Sequence, residues 1–452
     1  LIDSLSRWME ERFMPALSWI VDNRYLRAIR DAFITFALPM ILVGSFFLIL
    51  AFPPIPAQAN GGWLASINNW AAYYRPVLLV PFQLSFGLLS VLVSFGVAYN
   101  LAESYELEGL RIGITALVAF LIASVPVGVP GPTSPLPLGD YPLSSFLGAL
   151  GGEGLFVAIF LGIFTAEINR FFVKTGLTIK LPEGVPPKVA RSFEALLPAF
   201  SAISLVWLSE WYISSHFQAR VLDPNTLTYT DVPATWSRLI MELLRPLVRA
   251  SNSYPSSLLQ IVLMMVFWSV GIHGMNLVSA VAYPFWTQNL SENVLAAARG
   301  LPLPNIVTEP FYHIYAHLGG SGATLPLVFM LLRSRSAQLR QVGRVALLPG
   351  IFNINEPVTF GVPIAYNPIM IIPFILAPAT IVSVNYLAMA TGWVARPIAQ
   401  IPFTVPVIIG GFFSNRSLSG AFLQVVDLAI AALIYYPFFR AWERRLLRES
   451  DE

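Results

Sequence analysis

The sequence has 452 residues, 56% hydrophobic and 12% charged, with a formal net charge of +2 and no cysteine. Soluble domains carry about twice that charged share, which excludes an ordinary water-soluble fold, and the near-neutral balance gives no sign of a nucleic-acid partner. Without cysteine this sequence forms no disulfide, thiolate zinc site or thiol nucleophile.

Residues 1–30 read as an amphipathic helix lying on the membrane surface. Trp8, Phe13, Leu17 and Ile20 fall near one face, and Arg7, Glu11 and Arg12 on another. These mixed charges exclude a secretory signal. Arg24, Arg27 and Arg30 precede a first span at 31–52 and put the N-terminus in the cytoplasm by the positive-inside rule. Pro53, Pro54 and Pro56 end that span.

Further spans are expected at 76–101, 110–127, 150–172 and 192–216. Between them lie an acidic loop (Glu103, Glu106, Glu108), a proline-rich loop at 126–142, and a cytoplasmic basic loop holding Arg170, Lys174, Lys180, Lys188 and Arg191. Residues 217–255 read as a polar loop and then an amphipathic interfacial or connecting helix, Trp236 to Arg249. A long apolar helix containing His273 is expected at 256–286, and another at 310–332, opened by Gly319-Gly320-Ser321-Gly322.

Arg333, Arg335, Arg340 and Arg344 mark a cytoplasmic loop. A broken segment follows at 345–366, then a span at 367–391, a second broken segment at 393–418 and a last span at 419–439. Arg440, Arg444, Arg445 and Arg448 place the C-terminus in the cytoplasm as well. The fold class is all-α polytopic membrane protein. Two cytoplasmic ends require an even number of crossings, and the count is one out of step across 217–310. Either a crossing hides in 230–255, or one hairpin enters and leaves on the same side.

Glu356 is the sharpest functional candidate. It stands between Asn355 and Pro357, close to Asn353, in the broken segment. Ionisable groups at membrane depth mark substrate or ion pathways. Interrupted helices there offer backbone groups to polar cargo. The bland reading is a salt bridge to Arg333, Arg344 or Arg396. Asn353 and Asn355 either hold the interrupted backbone or face cargo.

His273 lies in Gly271-Ile272-His273-Gly274. It is either a structural histidine tied to a carbonyl or a second functional group. Trp268, five residues earlier, suits the C–H face of a pyranose, or is a belt or packing tryptophan. Gly154, in Gly151-Gly152-Glu153-Gly154, lacks the Lys-Ser/Thr ending of a phosphate loop. It reads as a close backbone contact with cargo, a helix start or tight packing. His313 and His317 are spaced i, i+4 but lack the following carboxylate of a metalloprotease motif, so a polar face is preferred to a metal. No metal or cofactor is expected.

Three runs closely resemble the membrane C component of bacterial sugar phosphotransferase systems, in the lactose/cellobiose/diacetylchitobiose branch. They are Gly-Gly-Ser-Gly-Ala-Thr-Leu (319–325), Phe-Asn-Ile-Asn-Glu-Pro-Val-Thr-Phe-Gly-Val-Pro (352–363) and Tyr-Asn-Pro-Ile-Met-Ile-Ile-Pro-Phe (366–374). Gly-Ile-His-Gly (271–274) and Leu-Arg-Ala-Ile-Arg-Asp-Ala (26–32) fit too, so the likeness covers nearly the whole chain.

The resemblance implies one permease domain over 1–452, with a dimerisation and scaffold part near 1–250 and a substrate-binding part near 256–439. It implies a homodimer of chains with about ten transmembrane helices and re-entrant hairpins in the bacterial cytoplasmic membrane. The cargo would be a β-linked disaccharide, released phosphorylated on its C6 hydroxyl. The phosphate would come from a cysteine of a B component on a separate chain, recharged by an A component. Motif match puts the sugar-binding glutamate on Glu356, the histidine on His273 and an aromatic on Trp268. Phe403, in Pro402-Phe403-Thr404-Val405-Pro406, stands where the family often has tryptophan. Together Glu356 and His273 would position the acceptor hydroxyl, with Glu356 a candidate base. Against this stands a secondary transporter of unmodified sugar, with Glu356 and His273 as a proton-coupling pair.

Overall fold

The computed structural model describes residues 23–53, 62–125, 127, 148–179, 181–182, 185–186, 193–222, 229–364 and 367–451. The expected surface helix before residue 23, nearly all of the 126–142 loop, and Lys180, Lys188 and Arg191 lie outside them. Among the described residues six helical stretches are long and apolar enough to cross a membrane: Arg24–Ala51, Gly62–Glu103, Gly152–Thr175, Leu196–His216, Ile369–Ala390 and Leu418–Arg448. The chain divides by internal contacts into two units, Leu1–Ile41 with Leu84–Pro246, and Leu42–Gln83 with Leu247–Glu452. The division near residue 250 that the resemblance implies keeps Leu42–Gln83 with the first part of the chain.

In chain order the first helices are α1 (Arg24–Ala51), α2 (Gly62–Gly87), α3 (Leu89–Glu103), α4 (Gly109–Ala123), α5 (Leu155–Thr175) and α6 (Leu196–His216). Asn23 starts α1 by accepting the N–H groups of Tyr25 and Leu26 at 3.0 and 3.1 Å, a side-chain N-cap. The wide turn Phe33–Ala37 interrupts α1 without ending it. The span expected at 76–101 is longer in the structure. The 42-residue stretch Gly62–Glu103 is the two helices α2 and α3, which meet at Leu88 (φ −110, ψ 14), and Pro76 and Pro81 are accommodated inside α2.

Small residues let the helices of the first unit pack closely, as apolar surfaces in lipid require. A Cβ on Gly96 would stand 2.7 Å from Phe36, and one on Gly162 would stand 2.9 Å from Val97. A polar knot closes one end of this bundle. The hydroxyl of Tyr25 donates to Glu167 at 3.1 Å, Tyr105 donates to the same carboxylate, and Arg170 pairs with it at 3.1 Å. Burial and the adjacent Glu167 raise the Tyr105 hydroxyl well above the usual tyrosine range, so it remains a donor.

The loop expected after residue 217 contains a two-stranded antiparallel ribbon, β1 (Gln218–Leu222) with β2 (Tyr229–Pro233), pairing Gln218 with Pro233 and Leu222 with Tyr229. Valine, threonine and tyrosine favour that conformation, so the chain is helical but not purely so. The amphipathic helix α7 (Trp236–Ser251) follows.

The helix expected across 256–286 is two helices, α8 (Tyr254–Ser269) and α9 (Gly274–Ala298). Gly271 takes φ 81 between them, a left-handed conformation that glycine adopts without strain. Gly274 then packs so tightly that a Cβ would fall 1.9 Å from the Met264 carbonyl oxygen. Likewise, the stretch expected as a helix at 310–332 is a single turn, α10 (Glu309–His313), and a later helix α11 (Leu325–Leu332). Gly319, Gly320 and Gly322 all have positive φ and break it.

Helix α12 (Ala337–Ile351), the short α13 (Glu356–Gly361), α14 (Pro368–Ala390), α15 (Ile409–Asn415) and α16 (Leu418–Asp451) complete the second unit. Its non-helical stretches are satisfied by side-chain amides, as buried backbone requires. Asn252 Oδ1 accepts the N–H groups of Ile306 and Val307 at 2.8 and 2.9 Å. Asn289 donates to Val307 O at 2.7 Å, and Asn293 donates to the Asn305 and Pro397 carbonyls, both at 2.8 Å. Gln424 on α16 accepts from the N–H groups of Ile408 and Gly411, each at 2.7 Å. Ile408 there adopts φ 79 and ψ −49.

Candidate functional site

The first broken segment, 345–366, builds the site from the backbone outward. Pro349 lies in the last turn of α12, and Asn353 then takes φ 60, a conformation that asparagine tolerates better than most residues. Its side chain joins three strands of chain. Oδ1 accepts the Gly319 N–H at 2.8 Å, while Nδ2 donates to the carbonyls of Phe403 and Val405 at 2.6 and 2.9 Å. Asn355 is buried and donates to Ser321 O. Gly320 is glycine because a Cβ would stand 2.6 Å from Asn355. Both asparagine amides are therefore engaged with backbone, and they fix the position of the next residue, Glu356.

Glu356 is the first residue of α13 and is exposed. Among the described residues no arginine pairs with it, and Arg396 instead donates to Leu303 O. The salt-bridge reading of this carboxylate is not the arrangement found. It is an exposed acceptor.

His273 caps α9. Its Nδ1 accepts the Asn276 N–H at 3.3 Å. An accepting Nδ1 assigns the neutral ring its proton on Nε2, so His273 presents an N–H donor. Its ring packs against Trp268, with centroids 4.5 Å apart and planes inclined at 48°. Trp268 is buried and supports the imidazole with one face. Glu356 and His313 both lie within electrostatic reach of His273. Glu356 and His273 are 83 positions apart in sequence, yet the fold brings them within electrostatic reach of each other.

Phe403 is half exposed, and its ring centroid lies 6.5 Å from that of His313. His313 in turn contacts the buried Glu309, whose other oxygen accepts from Gln400 Nε2. Reading the residues in order missed Glu309 and Gln400. The available signal was a carboxylate beside Pro310 in an apolar run. Gly154 belongs to the first unit, where a Cβ would fall 1.9 Å from Ala149 O and 3.0 Å from Phe120. Close packing accounts for that glycine.

A carboxylate acceptor, an imidazole N–H donor and an exposed aromatic face are the groups that engage a sugar. Comparisons with known proteins bear on the family of the whole chain. The family described as "Phosphotransferase system, EIIC" matches residues 30–378. The chain is 39% identical to the cellobiose-specific EIIC component of Geobacillus stearothermophilus, covering 100% of this chain and 97% of that protein. It is 36% identical to the lichenan permease IIC component of Bacillus subtilis, covering 100% and 96%. The solved structure of the transporter ChbC, the IIC component of an N,N'-diacetylchitobiose-specific phosphotransferase system, superposes with a TM-score of 0.85 at 35% identity, covering 98% of this chain and 99% of that one. The chain belongs to the EIIC family of the phosphotransferase system, in its lactose, cellobiose and diacetylchitobiose branch.

Proposed function

We propose that this permease carries a β-linked disaccharide of the cellobiose or diacetylchitobiose kind inward and presents its C6 hydroxyl for phosphorylation. Glu356 accepts the hydroxyl hydrogen while His273 Nε2–H donates to the hydroxyl oxygen. A hydroxyl can do both at once. The pair therefore aims one oxygen at the phosphoryl donor, a gain of proximity and orientation. As phosphoryl transfer proceeds, Glu356 is placed to take the proton. Most of the acceleration comes from positioning and charge stabilisation. Phe403 supplies the stacking face, and Asn353 and Asn355 hold the backbone that carries Glu356.

The phosphoryl donor in this reading is a cysteine of a B component on a separate chain, recharged by an A component; the 452 residues here contain no cysteine. The membrane is the bacterial cytoplasmic membrane, with both termini on the cytoplasmic face, about ten crossings, re-entrant hairpins at the broken segments, and two copies per functional unit. The names of the cellobiose-specific and diacetylchitobiose-specific relatives support the cargo.

The observation that carries this reading is an exposed carboxylate in an interrupted apolar segment, with no arginine or lysine pairing with it among the described residues, within electrostatic reach of a helix-capping imidazole. Exchanging it for an amide tests the reading. E356Q loses a charge-assisted bond of about 2 kcal/mol, or roughly thirtyfold in Kd. Calorimetric titration with cellobiose should show that loss, and vesicles supplied with phosphorylated B component should cease to form sugar phosphate. Wild-type affinity in E356Q would refute the assignment. Accumulation of unmodified sugar under a proton gradient would favour secondary transport instead.

A further inference from the structure

Four residues between Glu309 and Gln400 form a constellation that the reading above leaves unused. Glu309 opens the single turn α10, and His313 closes it four positions later, on the same face. The Glu309 side chain is 7% exposed. Its Oε1 lies against His313 Nδ1, and its Oε2 accepts from Gln400 Nε2. Gln400 is itself anchored, because its backbone N–H donates to Ser45 Oγ at 2.9 Å. A buried carboxylate with both oxygens engaged sets one imidazole in one orientation.

That imidazole is not closed off. Nδ1 is sealed, yet 21% of the His313 side chain remains exposed. Nε2 has no protein partner among the described residues. The ring stands 6.5 Å from Phe403, inclined at 42°, and within electrostatic reach of His273. His317 lies beside it at 6.1 Å, with Nδ1 tied to Tyr312 O at 2.8 Å and Nε2 buried without a partner. Buried polar atoms without partners are rare and call for an explanation. A wholly structural pair would turn both ring nitrogens into the protein.

We infer that His313 is a second hydroxyl-binding group of the sugar site, with Nε2 engaging a secondary hydroxyl of the ring stacked on Phe403. Glu309 and Gln400 are positioning residues that hold the imidazole. This rests on the sugar-site reading given above. The chemistry is indifferent to protonation, because a hydroxyl can donate to a neutral Nε2 or accept from a charged one. It selects a hydroxyl-bearing pyranose over an analogue lacking that one group, since removing a hydroxyl leaves Nε2 unpaired. The subsite thus reads hydroxyl pattern, and Glu356 with His273 reads the reacting hydroxyl.

The test uses the full-length protein in detergent, calorimetric titration with cellobiose, and a set of its monodeoxy analogues. H313F keeps a flat ring and loses the polar edge. It should bind cellobiose about tenfold more weakly. One deoxy analogue should bind wild type about tenfold more weakly than cellobiose does, yet bind H313F as cellobiose does. H313Q, which restores a polar group at that reach, should recover most of the affinity, and E309Q should lose part of it with an unchanged melting temperature. A residue that merely packs would leave the deoxy penalties intact. Wild-type affinity in H313F, or unchanged penalties for every analogue, overturns the inference. E356Q, measured in parallel, separates the two claims. If E356Q loses binding while H313F does not, only the His313 inference falls. If E356Q also binds normally, the site reading falls and takes this inference with it.

Discussion

Asn353 shows how much can depend on a single side chain. It makes three hydrogen bonds to backbone, from φ 60, at a point where the chain can form no helix. N353A removes bonds worth about 1 kcal/mol each and leaves alanine in a left-handed conformation at a further cost of roughly 1 kcal/mol. The variant should melt at lower temperature and bind cellobiose more weakly, because Phe403 and Glu356 lose their common tether. Unchanged melting in a thermal-shift assay would remove Asn353 from that role. At this scale the sequence was informative about chemistry but not about partners. Glu356 and His273 stood out as ionisable groups in apolar runs. The use of both asparagine amides on carbonyls 34 to 52 positions away could not be read along the chain. Nor could the Glu309–His313–Gln400 contact, since Gln400 is 91 positions from Glu309.

Among the elements, interruptions matter more than helices. Gly274 lets α9 begin against α8, with its Cα facing the Met264 carbonyl. G274A should sharply reduce the folded fraction recovered by size-exclusion chromatography. Gly300 has φ 68 but nothing within 4 Å of a Cβ, so G300A should cost only about 1 kcal/mol. Equal yields from both variants would show that the close approach is unimportant. Spans with one unbroken apolar run, such as Leu196–His216 and Ile369–Ala390, were legible from hydropathy to within a few residues. The break at His273 was not, because α8 and the start of α9 are equally apolar on either side and glycine is common inside membrane helices. The ribbon β1–β2 was hidden for a different reason. Ten paired residues in a polar stretch read as a loop unless their β-branched and aromatic content is weighed.

For the whole molecule, sidedness is the property most open to measurement. Glu443 on α16 accepts from Ser334 Oγ at 2.6 Å and from the Arg335 N–H at 2.7 Å, and pairs with Arg440. The arginine-rich loop after α11 and the C-terminal end of α16 therefore share one face. Both are exposed at Arg335 and Arg448, and the cysteine-free background makes single-site labelling clean. Arg335→Cys and Arg448→Cys should each react with an impermeant maleimide only after cells are opened, as the positive-inside rule requires. Reaction of either in intact cells would invert the orientation.

One residue is held in a backbone conformation that its side chain disfavours. Ile408 sits in the strained γ-turn region at φ 79 and ψ −49, pinned by a glutamine from α16. A branched side chain there stores roughly 1–3 kcal/mol, like a cocked latch. Removing that one acceptor, as in Q424A, would let the turn relax and free the segment that carries the proposed stacking residue Phe403, five positions upstream.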